Sequence, residues 1–449
     1  MQFLVRIASA LNNWTARWVP GSFSIALILT LFTVALAVAL TPHTLFDALR
    51  FWGDGFWELL TFSMQMTLIM VTGYIVVVSP AVNAFLRWLS SLPKNPHAAI
   101  AFTALGAMLL GWINWGIGIL GSAVLVKYIA RQHREVDYRL LVAVAYFGLG
   151  CTWHAGLSAS APILVATPGH FMEQQVGVIP LTRTIFHPFN LVATLAVLAV
   201  MTTLAYLLHP RNVKERRLVP VAALENVGTF MPPVIPSEKT FANWIDYRYG
   251  LNLIVGLIGI YYLGHYFVTQ GFERITINTV NFTFLTAGIL LHRSPAAVLK
   301  AAAESASFIY NIVLQFPFYS GMYGIIKGSG LSNTIGDAFV TVATPKTLPV
   351  IVYWYSGIVN YFVPSGGSKW AVEAPYIIEA AKSLGVAYDQ IVVAYAWGDM
   401  MTDLLQPFWA IPLLAAAGIE FKEILGYEMI AFIVYAFLVS LFFYFMPFY

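Results

Sequence analysis

Long apolar stretches separated by short polar connections run along almost the whole chain. A helix that crosses a membrane needs about 20 mostly apolar residues to span roughly 30 Å of hydrocarbon. Nine stretches meet or nearly meet this length, near residues 20–41, 56–79, 139–167, 187–208, 249–269, 277–292, 296–326, 387–417 and 427–447. This pattern predicts an all-α polytopic membrane protein with about nine transmembrane helices.

Two further apolar stretches, 97–131 and 348–381, are too long for one helix and are interrupted near their centres. The interruptions are INWGIG at 113–118 and VPSGG at 363–367. They leave arms of about 16 residues, shorter than a full crossing, so we predict two re-entrant helical hairpins. Non-helical backbone at this depth is tolerated only where protein or a wet cavity surrounds it. We therefore expect both tips to line a site.

Distinctive residues recur in the same order in the two halves of the chain. They are Gln65, Asn114, Trp153 and Pro162 in the first half, and Gln315, Asn360, Trp397 and Pro407 in the second. Four spans and one hairpin separate the two glutamine-bearing spans, which reverses the direction of crossing. We therefore predict an inverted-topology repeat, with halves 1–208 and 249–449 joined by a polar cytoplasmic loop, 209–248. Such repeats with interrupted helices are typical of secondary transporters, whose sites lie between the repeats.

Composition excludes several other classes of protein. The chain is 59% hydrophobic and 10% charged, whereas soluble domains carry roughly 25% charged residues. The net charge of +3 includes no basic block, so no nucleic-acid partner is expected. A single cysteine, Cys151, excludes an intramolecular disulfide. No phosphate-binding loop of the form G-x-x-x-x-G-K-[ST] occurs, which argues against transport driven by ATP bound to this chain.

The basic residues also predict the orientation of the chain. With a cytoplasmic N-terminus, 17 of the 24 Lys and Arg residues lie inside, six lie outside and Lys369 lies within a hairpin. Cytoplasmic loops carry an excess of Lys and Arg. We therefore expect a multi-pass protein of the bacterial inner membrane, with its N-terminus in the cytoplasm and its C-terminus outside.

The second hairpin tip is the main candidate for binding an anion. Its residues are Ser365, Gly366, Gly367, Ser368 and Lys369. The tip opens a helix, so free backbone N–H groups and the positive helix end favour a carboxylate there. The two serine hydroxyls add donors and Lys369 adds a charge. The alternative is a hinge in which Lys369 is simply paired with Glu373 one turn further on.

Amides and glycines elsewhere are further candidates for contact with substrate. They are Asn114, Gly116 and Gly118 in the first tip, Asn360 before the second, and the mid-span Gln65 and Gln315. In the first tip, unwound carbonyls and an amide suit a cation or the second face of the substrate. Close helix packing is the alternative there. The glutamines either donate to a carboxylate or hold the broken helices together.

Two intramembrane acids are candidates for ion coupling. Asp399 and Asp403 lie four residues apart on one face of a broken span, where two carboxylates do not both ionise readily. A shared proton or a sodium ion near Asp399 and Asn114 would relieve their repulsion. The polar residues grouped with them are Thr152, Ser158 and Gln406. The alternative is that the acids bond to unwound backbone. We interpret His154 as a hydrogen-bonded interior histidine rather than a proton relay.

Seven motifs together resemble the bacterial short-chain fatty acid transporter family, essentially from end to end. They are WGDGFW (52–57), INWGIG, ATPG (166–169), INTVN (277–281), LQFPFYSGM (314–322), VPSGG and QPFWAIP (406–412). The resemblance implies uptake of short monocarboxylates such as butyrate and acetoacetate, by a carrier of an ion transporter superfamily that uses Na⁺ or H⁺ and is often a homodimer. No other cofactor and no enzymatic activity are expected. Neither tip carries the Ser-Asn-Thr signature of the superfamily's dicarboxylate carriers, so their sodium sites do not transfer.

Three other functions remain open at this point. A passive channel or facilitator for short carboxylates would need a continuous polar path. A dicarboxylate carrier would need more midplane cations than the chain offers. An intramembrane enzyme would use Asp399 and Asp403 as an acid pair, but catalysis gives no reason for two opposed hairpins.

Overall fold

Helices are the regular secondary structure of this chain wherever the structure describes it. The computed structural model describes residues 20–219 and 230–448, and within these ranges all regular secondary structure is helix. The all-α prediction is therefore confirmed. Arg6 and Arg17, which contribute to the predicted orientation, and the centre of the polar loop lie outside the described residues.

The first half and the loop after it contain eleven α-helices within the described ranges. They are α1 (Ser22–Leu40), α2 (Leu45–Gly55), α3 (Leu60–Val77), α4 (Pro80–Ser90), α5 (Pro96–Ile113), α6 (Trp115–Gln132), α7 (Tyr138–Cys151), α8 (Ser160–Val165), α9 (Glu173–Val176), α10 (Pro188–Leu208) and α11 (Phe241–Asp246). Short 3₁₀ turns occur at Trp153–Ala155, Leu181–Arg183 and Val213–Glu215.

The second half contains nine more. They are α12 (Gly250–Gln270), α13 (Ile277–Leu291), α14 (Pro295–Gly328), α15 (Leu331–Val342), α16 (Leu348–Phe362), α17 (Gly366–Leu384), α18 (Tyr388–Met401), α19 (Ile411–Ala417) and α20 (Phe421–Phe445). Two 3₁₀ turns, Phe272–Arg274 and Thr402–Leu405, complete it.

Seven helical segments among the described residues are long and apolar enough to cross a membrane. They are α1, α3, α5, the α7–α8 segment Tyr138–Val165, α10, α12 and α20. Helix α13 is apolar but shorter, and α14 runs for 34 residues with Pro317 inside it. A multi-pass membrane protein is therefore the architecture, with the two broken spans interrupted after Cys151 and Met401.

Both predicted interruptions are present, but three of the four arms are longer than the sequence indicated. The first hairpin breaks at Asn114 into α5 and α6 of 18 residues each, and the second breaks between α16 and α17, of 15 and 19 residues. At 1.5 Å per residue, α5 is about 27 Å long, close to a full crossing. Re-entrance of the hairpins therefore stays a prediction.

Three of the helices that the hydropathy pattern did not predict are longer than two turns and connect the spans. They are α2, α4 and α15. Helix α2 begins at a capping box of Thr44 and Asp47, and Ser79 caps α4, which has Pro80 at its first position. These helices are only 11 or 12 residues long, so a search for 20-residue apolar runs does not find them.

The two halves repeat the same neighbour relations between helices. Helix α3 packs against α6 as α14 packs against α17, and α5 against α7 as α16 against α18. The contact between α5 and α7 and the contact between α16 and α18 each place one glycine against another. A Cβ added at Gly111 would lie 2.5 Å from the Gly148 carbonyl oxygen, and one added at Gly357 would lie 3.0 Å from that of Gly398. Each hairpin therefore packs against the following broken helix with no room for a side chain.

Candidate functional site

The second hairpin tip and the two broken helices surround a small buried cavity. Its volume is about 40 Å³, and we call it the central cavity. Its lining residues are Met66, Trp115, Leu149, Trp153, Ser160, Ile312, Phe316, Ser365, Gly366, Gly367, Asp403 and Trp409. One water needs about 10–15 Å³ measured in this way, so the cavity has room for a few non-hydrogen atoms.

The second tip presents an uncapped helix N-terminus to this cavity. Ser365 occupies the cap position of α17 but makes no side-chain cap bond, and its hydroxyl instead accepts a hydrogen bond from Ser368. The first tip differs, because the Asn114 side chain caps α6 by accepting from the Ile117 N–H at 3.1 Å. The first N–H groups of α17 therefore remain available to a ligand.

Two distant side chains hold the second tip in place. The Trp409 indole N–H donates to the Pro364 carbonyl at 2.9 Å, and the Tyr395 hydroxyl donates to the Gly366 carbonyl at 2.7 Å. A side chain at position 366 has no space, because a Cβ there would lie 2.7 Å from both Asp399 Oδ2 and His154 Cε1. The glycine thus allows the tip to approach the buried acids.

Asp403 is the acid that lines the cavity. Its carboxylate accepts hydrogen bonds from Trp153 Nε1 at 3.1 Å, Asn360 Nδ2 at 2.9 Å and Gln406 Nε2 at 3.0 Å. All three donors are neutral, and no ion pair to Asp403 occurs among the described residues. These donors satisfy the carboxyl oxygens without a counter-charge, so a negative charge on Asp403 would face the cavity unneutralised.

Asp399 lies behind the tip in a cluster with Lys369. The Lys369 ammonium lies 3.1 Å from Asp399 Oδ1 and 3.4 Å from Glu373 Oε2, and it donates to Ser356 Oγ at 2.7 Å. It also lies 4.2 Å from the centre of the Tyr395 ring. Both the predicted pair with Glu373 and a second pair with Asp399 are therefore present, and Lys369 does not line the cavity.

His154 completes this cluster as a buried, hydrogen-bonded histidine. Its Nε2 accepts from the Ala161 backbone N–H at 3.3 Å, so Nδ1 carries the proton and donates to Asp399 Oδ2 at 2.7 Å. The ring stacks on Trp153 at 4.2 Å between centroids. His154 therefore links the cluster around Asp399 to the indole that bonds Asp403.

The first-tip candidates lie in tight packing. Asn114 Nδ2 donates to the Ile69 carbonyl at 3.5 Å in addition to its capping bond. A Cβ added at Gly116 would lie 3.0 Å from Met70 Sδ, and one added at Gly118 would lie 2.7 Å from Gly111 Cα. None of the three lines the central cavity, so a direct role in substrate contact stays a prediction for them.

The remaining candidates do not line the central cavity. Gln65 donates to Asn278 Oδ1 at 2.9 Å, and Gln315 is buried in α14. Thr152 donates to the Met108 carbonyl at 2.7 Å, and Ser158 accepts from the Trp115 N–H at 2.9 Å. Thr152 and Ser158 thus tie the first broken helix to the first hairpin.

The sodium site predicted near Asp399 and Asn114 stays a prediction. Asp399 Oδ1 faces Lys369 and Oδ2 faces His154, while the Asn114 oxygen accepts from Ile117. No group of three His, Cys, Asp or Glu side chains in the described part of the chain has a geometry for a metal ion.

Sequence reasoning missed Tyr395, Ser356 and Trp409 in this site. Tyr395 and Ser356 are neutral residues inside apolar spans, with no feature that separates them from packing residues. Trp409 belongs to the motif QPFWAIP, which the sequence analysis used only for the resemblance.

Sequence relationships agree with this architecture. The family described as short chain fatty acid transporter matches residues 3–446. The chain belongs to this family. Two relatives named for short-chain fatty acid transport are similar: one from Escherichia coli (strain K12), 38% identical over 94% of this chain and 95% of the relative, and one from Haemophilus influenzae (strain ATCC 51907 / DSM 11121 / KW20 / Rd), 34% identical over 98% and 99%. Family membership identifies a membrane transporter rather than an enzyme.

Two solved structures share the fold of this family member. The YdaH transporter of Alcanivorax borkumensis, whose topology is described as unusual, matches with a TM-score of 0.65 at 16% identity, over 95% of this chain and 97% of that one. MtrF of Neisseria gonorrhoeae, described among antimetabolite efflux pumps, matches with a TM-score of 0.59 at 15% identity, over 97% of each chain. At these identities the likeness extends to the fold alone.

Proposed function

We propose that the protein is a secondary active transporter that takes up short-chain fatty acids such as butyrate and acetoacetate by cation-coupled alternating access. The observation that carries the proposal is the central cavity, where the uncapped N-terminus of α17 and the carboxylate of Asp403 lie together. The first of these groups attracts an anion and the second repels it.

The N-terminus of α17 is the proposed seat of the substrate carboxylate. The N–H groups of Gly366, Gly367 and Ser368 form the first turn and have no side-chain cap. Free N–H groups at a helix start bind carboxylates, and the helix dipole adds to the attraction. The apolar lining from Met66 and Phe316 then suits a short acyl chain.

Asp403 is the proposed reason for cation coupling. Two unit negative charges about 4 Å apart repel by about 4 kcal/mol at an effective dielectric constant of about 20. A substrate carboxylate therefore enters the central cavity favourably only when a proton or Na⁺ neutralises Asp403. Of the two predicted acids, Asp399 already has Lys369 as a counter-charge, which leaves Asp403 for the coupling role.

A monocarboxylate fits the cavity better than a dicarboxylate. No Lys, Arg or His is among the described residues that line it, so a second carboxylate would have no cation to meet. The volume of about 40 Å³ also favours a small substrate.

The transport model includes an inverted repeat of two re-entrant hairpins in an inner-membrane protein with a cytoplasmic N-terminus, an external C-terminus and a homodimeric assembly. Support comes from the neighbour relations that recur in the two halves and from the excess of basic residues on one side. Crosslinking in native membranes and labelling of terminal tags from each side test the assembly and the orientation.

The test is uptake of labelled butyrate into proteoliposomes, with Na⁺ and H⁺ gradients imposed separately and acetoacetate, acetate and succinate as competitors. We expect accumulation above equilibrium with one of the two gradients and competition by the monocarboxylates only. Rapid equilibration without accumulation would instead identify a facilitator and overturn the coupling role of Asp403.

Matched variants locate the coupling group. Asp403→Asn is expected to abolish gradient-driven accumulation while exchange of labelled for unlabelled substrate persists, because the neutral amide no longer needs a cation. Asp337→Asn, an exposed acid on α15, is the control and should transport like the original protein. Normal gradient dependence in Asp403→Asn would exclude this acid from coupling.

A further inference from the structure

A second cavity lies next to the central one and has no role in the transport model above. Its volume is about 130 Å³, more than three times that of the central cavity. It is lined by the N-terminal part of α3, including Thr61 and Gln65, and by the connection after α8, including Gly169 and His170.

Phe62 separates the two cavities. Its ring lines the second cavity, where its centroid lies 6.4 Å from that of Phe171. On its other side it meets residues of the central cavity: its centroid lies 5.7 Å from that of Phe316, and a Cβ added at Gly367 would lie 3.0 Å from Phe62 Cζ. A single buried ring therefore stands between the two spaces.

The acid that lines the second cavity has a counter-charge. Glu58 lines it and is 3.0 Å from the Lys327 ammonium. Lys327 also lies 5.2 Å from the centre of the Tyr323 ring, whose hydroxyl donates to the Phe171 carbonyl. A ligand here meets no uncompensated cation, so the cavity offers a free carboxylate no ion pair and the hydrogen bond of an O–H group becomes the specific contact.

His170 supplies a hydrogen-bond acceptor without a partner. Its Nε2 donates to the Gly177 carbonyl at 3.0 Å, so this nitrogen carries the proton. Burial lowers the pKa of the imidazole, while Glu173 opposes that change. The neutral ring then has a lone pair on Nδ1, which is buried and unpartnered among the described residues. An unmatched buried acceptor costs about 1–3 kcal/mol, which a donor ligand would recover.

We propose that the second cavity is a waiting site for short-chain acids that present an O–H group to His170, and that Phe62 controls passage from it to the central cavity. The O–H belongs either to an undissociated carboxyl group or to a hydroxyl on the chain. The inference rests on the proposed transport function and adds a second binding site to it.

The test is protection of a thiol in the cavity. Thr61→Cys, an exposed lining position, is prepared in a Cys151→Ala background, purified in detergent and reacted with an anionic methanethiosulfonate reagent. Ligand at about twice its Kd fills two thirds of the sites by mass action and slows labelling about threefold. Pro345→Cys, exposed and outside the lining, is the control thiol and should show no protection.

Two ligands and two pH values distinguish the sources of the O–H group. A carboxyl group with a pKa of about 4–5 is mostly ionised at both pH values, and the undissociated fraction of butyrate falls about a hundredfold from about pH 6 to about pH 8. At a fixed total concentration that gives clear protection at about pH 6, protection by butyrate should therefore be lost at about pH 8. Protection by 3-hydroxybutyrate should persist at both values, because the hydroxyl keeps its proton. His170→Leu should abolish protection, whereas His170→Gln retains a donor and an acceptor and should keep it. Equal protection in the leucine variant, or none by either acid, would overturn the proposal.

Uptake by the same proteins separates failure of this site from failure of the transport function. Uptake of labelled butyrate without thiol protection would refute the second site alone. Protection without uptake would refute the transport function instead. Phe62→Trp should slow uptake severalfold, since the larger ring obstructs passage, and should preserve protection, since His170 remains in place. Unchanged uptake in this variant would remove Phe62 from its gating role.

Discussion

Lys369 is the residue whose loss should destabilise the protein most among the buried charges. Its ammonium lies 3.1 Å from Asp399 and 3.4 Å from Glu373, and all three side chains are about 1% exposed. At 3.1 Å and an effective dielectric constant of about 20, each unit-charge pair contributes about 5 kcal/mol of Coulomb energy before desolvation. Lys369→Met would leave buried carboxylates unpaired, so we expect a loss of about 3–5 kcal/mol.

The assay is thermal unfolding of purified protein, followed by tryptophan fluorescence in one detergent. Lys369→Met should lower the apparent Tm by several degrees. Lys382→Met is the matched control on the same helix, because this lysine is 64% exposed and its pair with Glu379 is long, at 3.6 Å. An exposed pair contributes about 0–1 kcal/mol, so the control should unfold close to the original protein.

A double-mutant cycle decides whether charge pairing is the cause. Lys369→Met combined with Asp399→Asn removes both members of one pair, so its loss should be smaller than the sum of the two single losses by about 1–3 kcal/mol. If the losses simply add, or if Lys369→Met unfolds with the original protein, the structural role assigned to this cluster is wrong.

Three further predictions follow from individual contacts. Gly111→Ala should destabilise the protein, because the added Cβ would lie 2.5 Å from a backbone carbonyl oxygen. Gly53→Ala in α2 is the contrasting variant: its Cβ meets nothing within 4 Å, so it should stabilise the protein by up to about 1 kcal/mol. Thermal unfolding should show a lower Tm for the first variant and an equal or higher Tm for the second. Glu428→Leu should raise the Tm, because both Glu428 oxygens are buried without a partner among the described residues; a lowered Tm would show that the carboxyl group has a stabilising contact. Burial beside His97 lowers the pKa of His209 to about 4, so the folded protein keeps this imidazole neutral. In the unfolded chain the pKa is about 6.5, and stability is therefore lost as the pH falls from about 6.5 to 4. His209→Gln retains an acceptor for the Asp137 N–H and should lose less stability between neutral and acidic pH; equal pH dependence would contradict the assignment.

The apolar pattern by itself determined that the chain is an all-helical membrane protein with two interrupted hairpins and two broken spans. The reason is that a bilayer core offers no water to backbone N–H and C=O groups, so each span forms a helix whose bonds satisfy them. The thickness of the core then sets the length of the apolar stretch, which can be read from the sequence. The interruptions at Asn114 and at Pro364–Ser365 could be predicted because each lies near the centre of an apolar stretch that is too long for one helix. Short helices such as α2 and α15 could not be predicted in this way, because a bilayer sets no length for them.

Tertiary structure alone decided what each candidate side chain contacts. Asp399 and Asp403 are four residues apart in the sequence, but only the packing of the helices shows their partners. Asp399 contacts Lys369 and His154, whereas Asp403 accepts hydrogen bonds from neutral donors. Likewise, the sequence shows that both hairpins are interrupted, but only the structure shows that Asn114 caps one helix N-terminus and that the other faces a cavity uncapped. These differences depend on contacts between segments far apart in the chain, and the apolar periodicity of one segment does not specify which other segment packs against it.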